Sequence, residues 1–425
     1  MKKFILFLFV FGISLPELFA QTGVDSPYSR FGIGNLETRA PNARLQAMGG
    51  IGNAIGAPRF VNPVNPASYD RFDSLSFLFN VGFNASAVTY VTTKQTENGN
   101  GVGINYFSAG FPVLKWWRMA VGLLPTSNIA YNVVVPGVSP QGIAVNKSYE
   151  GSGGLNTLYF GNSFRLANQF SVGVNLNYNF GRTITSSFLY FPDSVNMATT
   201  KVENTSLIND ISFNYGLLYT APINSNNFLH FGLTYSQQMK LGATREYLIK
   251  SQFGGLQGNV ATVVDTILYR PKENGVLVMP QKAGIGLAYE KKEKLLIGFD
   301  FNWQNWEKFE FFNQRDSLNN SWNMAAGAQY IPNYSSISGY WKRVTYRAGA
   351  RYGQTYLKIN GEPINEFGIS FGIGLPLPRS LTTVDLSLEA GRRGTTAKNL
   401  IRESFVNFTV GVSIYERWFV KTKYN

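Results

Sequence analysis

From Phe170 the chain reads FSVGVNLNYNFG, so that Phe170, Val172, Val174, Leu176, Tyr178 and Phe180 share one parity and Ser171, Gly173, Asn175, Asn177, Asn179 and Gly181 the other. A period of two puts these sets on opposite faces of an extended strand, one apolar and one made of amides and small residues. The same dyad returns in LLIGFDFNWQNW, where Leu295, Ile297, Phe299, Phe301 and Trp303 alternate with Gly298, Asp300, Asn302 and Gln304. It returns again in VNFTVGVSIY, with Val406, Phe408, Val410, Val412 and Ile414 against Asn407, Thr409, Gly411 and Ser413. A water-soluble sandwich turns a charged face outward; here the polar face is small and largely uncharged, and the strands are long. The pattern predicts an all-β fold, a transmembrane antiparallel β-barrel with its apolar parity toward lipid. An inward position such as Thr409 is then expected to tolerate a charge better than its outward neighbour Val410.

Such segments number about fourteen, near 74–91, 101–113, 118–135, 149–167, 170–191, 207–223, 228–250, 277–291, 295–312, 320–333, 344–360, 363–377, 382–395 and 400–417. An even number returns both ends of the barrel to one side. Tight connections at Ala167–Gln169, Asn224–Asn227, Lys291–Lys294 and Pro378–Ser380 alternate with longer ones around 192–205 and 251–275. The tight turns are expected on the periplasmic side and the longer loops outside.

The start of the chain gives the compartment. Lys2 and Lys3 precede the apolar run FILFLFVFGISL, and LFAQ offers Ala20 at a cleavage edge, so residues 1–20 read as a secretory signal peptide. The run is too short to span a bilayer, which takes about 20 apolar residues. The 425-residue chain is 15% charged and 15% aromatic, a low charge and a high aromatic share for a water-facing protein. Beyond residue 20 it keeps 36 basic against 24 acidic residues, a net charge of +12. These cations are scattered among turns and strand ends instead of forming one stripe. That distribution suits membrane rims near anionic headgroups and argues against nucleic acid. With Cys 0 there is no thiolate chemistry and no lipoprotein acyl site.

Residues 21–72 break the pattern. NARLQAMGGIGNAIGAPRFVNPVNPASYD, from Asn42 to Asp70, is rich in Gly and Ala and lacks the two-residue period. Small side chains suit a chain threaded into a lumen of this strand number, and Asn62-Pro63 and Asn65-Pro66 force turns toward the wall. The organisation expected is a signal peptide at 1–20, an N-terminal plug (hatch) at 21–72 and a barrel at 73–425.

NARLQAMGGIGNAIG followed by NPAS resembles the hatch of the FadL/TodX-like outer-membrane transporters, the match falling on Ala43, Arg44, Met48, Gly49, Gly50, Asn65, Pro66 and Ala67. The resemblance implies a fourteen-stranded barrel with an N-terminal plug in the outer membrane of a Gram-negative bacterium. It also implies passive uptake of a small hydrophobic, fatty-acid-like compound, which leaves sideways through a lateral gate at an inward kink of the third strand. The additional stretch SPYSRFGIGNLETR before the hatch departs from that pattern and resembles the start of PorV-type barrels that accompany larger secretion machines.

Pro125 stands in mid-strand in the third segment; lacking an N–H, it belongs at an edge or bulge and is the candidate lateral gate. On the inward parity Arg347 and Arg351 face Asp385 and Glu389 across Gly368, Ser370, Gly372 and Gly374, leaving room for ion pairs. With Asp300, Asn175, Asn177 and Asn179 they make that wall polar, so a continuous greasy conduit is not expected. His230, the single histidine, faces the lumen beside a short periplasmic turn, where it reads as packing. One His and no Cys assemble neither a zinc site nor a thiol site, His230 lies at the opposite end from the outer surface where a lipase or protease would need it, and GIGNAIG lacks a βαβ context, so no enzyme, metal or cofactor is expected. The leading function is FadL-like uptake of a hydrophobic small molecule; the alternative is a non-transporting accessory subunit of a larger outer-membrane protein complex for secretion or barrel assembly. Outer-membrane lipid surrounds the barrel in either case.

Overall fold

A computed structural model describes residues 26–36, 41–192, 197–253 and 262–417. The expected signal peptide at 1–20 and the start of the expected plug at residue 21 lie outside the described residues. Fourteen antiparallel strands close into a barrel. They are β1 (Ser76–Val91), β2 (Thr96–Pro112), β3 (Trp117–Val138), β4 (Ala144–Ala167), β5 (Phe170–Tyr190), β6 (Thr199–Pro222), β7 (Asn227–Ser236 with Met239–Phe253) and β8 (Thr262–Met279 with Lys282–Lys291). The ring continues with β9 (Leu295–Gln304), β10 (Ser321–Tyr330), β11 (Thr345–Ile359), β12 (Glu362–Pro376), β13 (Thr383–Arg393) and β14 (Arg402–Arg417). Each strand pairs with its sequence neighbours, and β14 returns to β1 from Arg402↔Val91 to Arg417↔Ser76.

The parity read from the sequence sets the faces. On β14 Val406, Phe408 and Ile414 are exposed while Asn407, Thr409 and Ser413 are buried, and on β9 Ile297 and Phe299 are exposed while Asp300 is buried. This is the inverse of a soluble protein and places the apolar band toward lipid. Trp116, Tyr219, Tyr330 and Tyr346 are exposed at the end carrying the tight turns, where an aromatic girdle meets the headgroups.

Several strands begin earlier than the sequence reading expects: β2 at Thr96, β4 at Ala144, and β6 at Thr199, inside the loop expected around 192–205. Thr262–Met279 is not a loop but the upper part of β8, paired with Met239–Phe253 of β7. Its upper part, residues 262–273, carries Asp265, Arg270, Lys272 and Glu273 and is exposed on both parities, so the alternation that marks a lipid-facing strand does not apply there. At the other limit β9 ends at Gln304, and the chain turns inward through Trp306–Lys308, burying Trp306.

Candidate functional site: the lumen and the β2–β3 seam

Residues 41–72 lie inside the ring, touching opposite walls: the turn Ala43–Gln46 meets β12, β13 and β14, and the turn Pro66–Arg71 meets β3 to β6. Asn42 caps the first turn, its Oδ1 accepting the Arg44 N–H at 2.8 Å. Burial pulls the Arg44 guanidinium down to about 10, with the Arg347 charge adding to the effect. Met48 is fully buried beside Leu45, Ile51 and Ile55. Gly49 and Gly50 have φ of +72° and +86°, and a Cβ on Gly49 would stand 2.7 Å from the Ala350 carbonyl oxygen. The Met-Gly-Gly stretch is thus where a left-handed turn presses backbone against the wall.

Polar side chains fasten this segment. Asp300 accepts the Gly52 and Asn53 N–H groups at 2.6 and 2.8 Å. Asn65 donates through Nδ2 to Asn53 O at 2.6 Å and to Leu217 O of β6 at 3.0 Å, while its Oδ1 accepts the Ala67 N–H at 3.0 Å. Asn65 therefore caps the turn that Pro66 opens and ties it to the wall in one step. At the end of the lumen carrying the tight turns Asp70 accepts from Arg118 at 2.9 Å and Arg165 at 3.0 Å. His230 sits within hydrogen-bond reach of Thr220 and Glu290, 2.9 Å from each. It belongs to the anchoring cluster around Arg71.

Higher in the lumen, Arg347 Nη1 lies 2.6 Å from Asp385 Oδ1, and Arg351 bonds Glu389 at 2.6 Å and also Glu366. Arg393 extends the chain of charges to Glu366 at 2.8 Å and Glu403 at 3.6 Å. A Cβ on Gly368 would stand 2.6 Å from Glu389 Oε1, so the bare position makes room for the pair. Glu366, Arg393 and Glu403 were missed in the sequence reading although they hold the same inward parity on β12, β13 and β14.

The β2–β3 seam carries the fewest pairs of any between neighbouring strands among the described residues. β2 and β3 pair only from Phe107↔Leu123 to Pro112↔Arg118. Above that level β2 remains paired to β1 and β3 to β4, leaving Thr96–Tyr106 and Leu124–Val138 without a ladder between them. Both strands are irregular at the parting: β2 shifts register between Tyr106 and Ile104, and β3 shifts between Pro125 and Ser127. Pro125 thus stands two residues beyond the last pair. A cavity of about 700 Å³ reaches from this opening into the lumen, lined by Gly103, Ile104 and Pro125 on the seam and by Arg351, Glu366 and Arg393 behind it.

The opening is partly filled by the chain itself. Asn35 and Leu36 pair antiparallel with Asn128 and Ser127 of β3, and the Ser26 N–H donates to Ala130 O at 2.7 Å. Ser26 Oγ donates to Glu403 at 2.5 Å, joining this stretch to the charge network. Tyr28, which donates to Ile401 O, is pushed up to about 12 by burial and then by the Glu403 charge. Ile33, 2% exposed, joins Trp306, Phe309, Leu318 and Tyr356 in an apolar cluster on the outer side.

The family model BamG matches residues 1–425. The chain belongs to the BamG family. No curated protein sequence matches it. Its fold is similar to the CymD monoaromatic hydrocarbon channel, at 16% identity and a TM-score of 0.57, covering 90% of this chain and 99% of that one. It is also similar to a FadL homologue of Pseudomonas aeruginosa, at 12% identity, a TM-score of 0.60 and 91% and 100% coverage. The toluene transporter TbuX of Ralstonia pickettii follows at 14% identity, a TM-score of 0.53 and 90% and 99% coverage. This BamG-family chain therefore has a β-barrel of FadL-like fold, while its family bears a different name from the one its hatch motif suggests.

Proposed function

We propose that this barrel is a closed, non-conducting accessory subunit of a larger outer-membrane protein complex, of the kind that secretes proteins or assembles barrels. The observation carrying this reading is that the outer vestibule, where an apolar cargo would collect, is filled by the chain's own Tyr28, Ile33, Trp306, Phe309 and Tyr356. Beneath it the lumen is lined by Arg351, Glu366 and Arg393, which an apolar solute would have to desolvate in passing. Residues 41–72 then act as a permanent plug, with Met48, Gly49, Gly50, Asn65, Pro66 and Ala67 shaping and anchoring it.

Hydrophobic uptake, the lead reading of the sequence, becomes the second reading, favoured by the unpaired β2–β3 edge beside Pro125 and by the channels and transporters among proteins of similar fold. In that reading Pro125 marks a lateral gate. Purification in mild detergent, mass spectrometry of what co-elutes and recording in planar bilayers separate the two. A stoichiometric protein partner and a silent bilayer are expected. A bound apolar ligand, with accumulation of a hydrophobic fluorophore by loaded liposomes, would overturn the accessory reading in favour of uptake.

A further inference from the structure

The stretch Ser26–Leu36 raises a question that neither function answers: why a chain already plugged at 41–72 sends a second segment to the seam. Its last two residues, Asn35 and Leu36, make the contacts of an added strand, while Pro27–Arg30 forms a single 3-10 turn over the same edge. The pairs Asn35↔Asn128 and Leu36↔Ser127 lie on the β3 edge that faces away from β4, since Asn128 and Ser127 pair with Gly154 and Leu155 on the other side. Backbone contact continues upward at Ser26 N–H to Ala130 O. Gly34 sits against this edge so closely that a Cβ would stand 2.5 Å from Asn128 O and 2.5 Å from Ile129 Cγ1, at a φ of +94°. Side chains at intervals enter fitted sites: Tyr28 and Ile33 are buried, and the Gly34 carbonyl accepts from Tyr356 Oη at 2.6 Å.

We infer that the free edge of β3 is a strand-docking site for an extended segment of a partner polypeptide, held in this chain at Asn128 and Ser127 by its own Asn35 and Leu36. The chemistry favours a polypeptide over a hydrocarbon. An open edge at membrane depth exposes N–H and C=O groups that lipid cannot satisfy, and an apolar solute cannot satisfy them either. Another backbone can, in the manner of strand addition, with specificity from side chains taken up at intervals. The own segment reaches only to Ala130, so Tyr131–Val138 continues the same edge for a longer strand. That an external occupant would be a segment of a partner protein rests on the accessory reading; the docking site itself does not.

The test uses the full-length protein in detergent and a fluorescent peptide copying Ser26–Leu36. Gly34→Val should evict the resident segment and open the edge. The peptide is expected to bind this variant saturably and at least tenfold more tightly than wild type, and a peptide carrying the same Gly34→Val change should not bind. Equal binding to both proteins, or no binding to the variant, overturns the proposal. So does closure of the variant by a hydrophobic fluorophore and not by the peptide. Should Gly34→Val fail to fold, a Leu36→Cys/Ser127→Cys pair tests the same site, because the natural chain has no cysteine to compete. Cross-strand partners lie at disulfide range. A disulfide is expected to form without altering the heat-modifiable gel mobility, and its failure to form also overturns the proposal. A result on uptake or co-purification alone leaves this outcome unchanged, so the two readings fail separately.

Discussion

Two seams of this barrel invite comparison. Where the first and last strands meet, β14 and β1 pair over sixteen consecutive positions without a register shift, from Arg402↔Val91 to Arg417↔Ser76. Between β2 and β3, strands joined by a short turn, six pairs form and the strands then part. The junction between distant parts of the sequence is the better closed of the two. Loop-closure entropy therefore does not decide where the wall is weak; local chemistry does, through a proline and a bulge on each side. The weak seam is backed from inside by the strap Ser26–Leu36 and the Arg351–Glu366–Arg393–Glu403 network, whereas the strong one relies on its ladder and its lipid-facing residues.

The largest expected effect comes from breaking that backing. Glu366 bridges Arg351 and Arg393, so Glu366→Leu should leave two buried guanidinium groups undercompensated and cost roughly 3–5 kcal/mol. Denaturant unfolding in micelles measures it. At the strong seam, Val410→Arg sets a charge in lipid and should cost roughly 2–4 kcal/mol. Refolding into lipid vesicles gives the number, and a cost near zero would mean that β14 faces the other way. Asp300→Ala, far from both seams, should orphan the Gly52 and Asn53 N–H groups and cost about 2–4 kcal/mol. Protease accessibility of residues 41–72 should rise with it. Smallest is Pro125→Val: restoring one N–H is expected to change stability by less than about 1 kcal/mol, because the proline's restriction of the unfolded chain is lost at the same time. A large rise in melting temperature would show that the proline alone holds the seam apart.

The strand pattern was legible because alternation is local: the segment expected at 170–191 is observed at Phe170–Tyr190. Parity also brought Arg347 opposite Asp385 and Arg351 opposite Glu389, since facing depends only on odd or even position. What alternation could not give is the contents of the lumen. Thr409 was expected to tolerate charge, but it is 1% exposed and donates to Gln46 Oε1 at 2.7 Å, so Thr409→Arg would collide with the inner segment. The strap was equally illegible: eleven residues without a period find partners some ninety positions away, by contacts that no local spacing encodes.

The strands are not of equal length, and that has a mechanical consequence. β4 and β6 run 24 residues each, whereas β9 and β10 run 10, so one side of the ring rises into a crest while the other stops near the membrane surface. At about 3.4 Å per residue the crest strands carry tens of ångströms of additional length. β3, with 22 residues, is the leading edge of that crest, and the six-pair seam lies at its foot. A sideways load on the crest is thus delivered by a long arm to the most thinly stitched joint in the wall, as a sail delivers wind to the step of its mast.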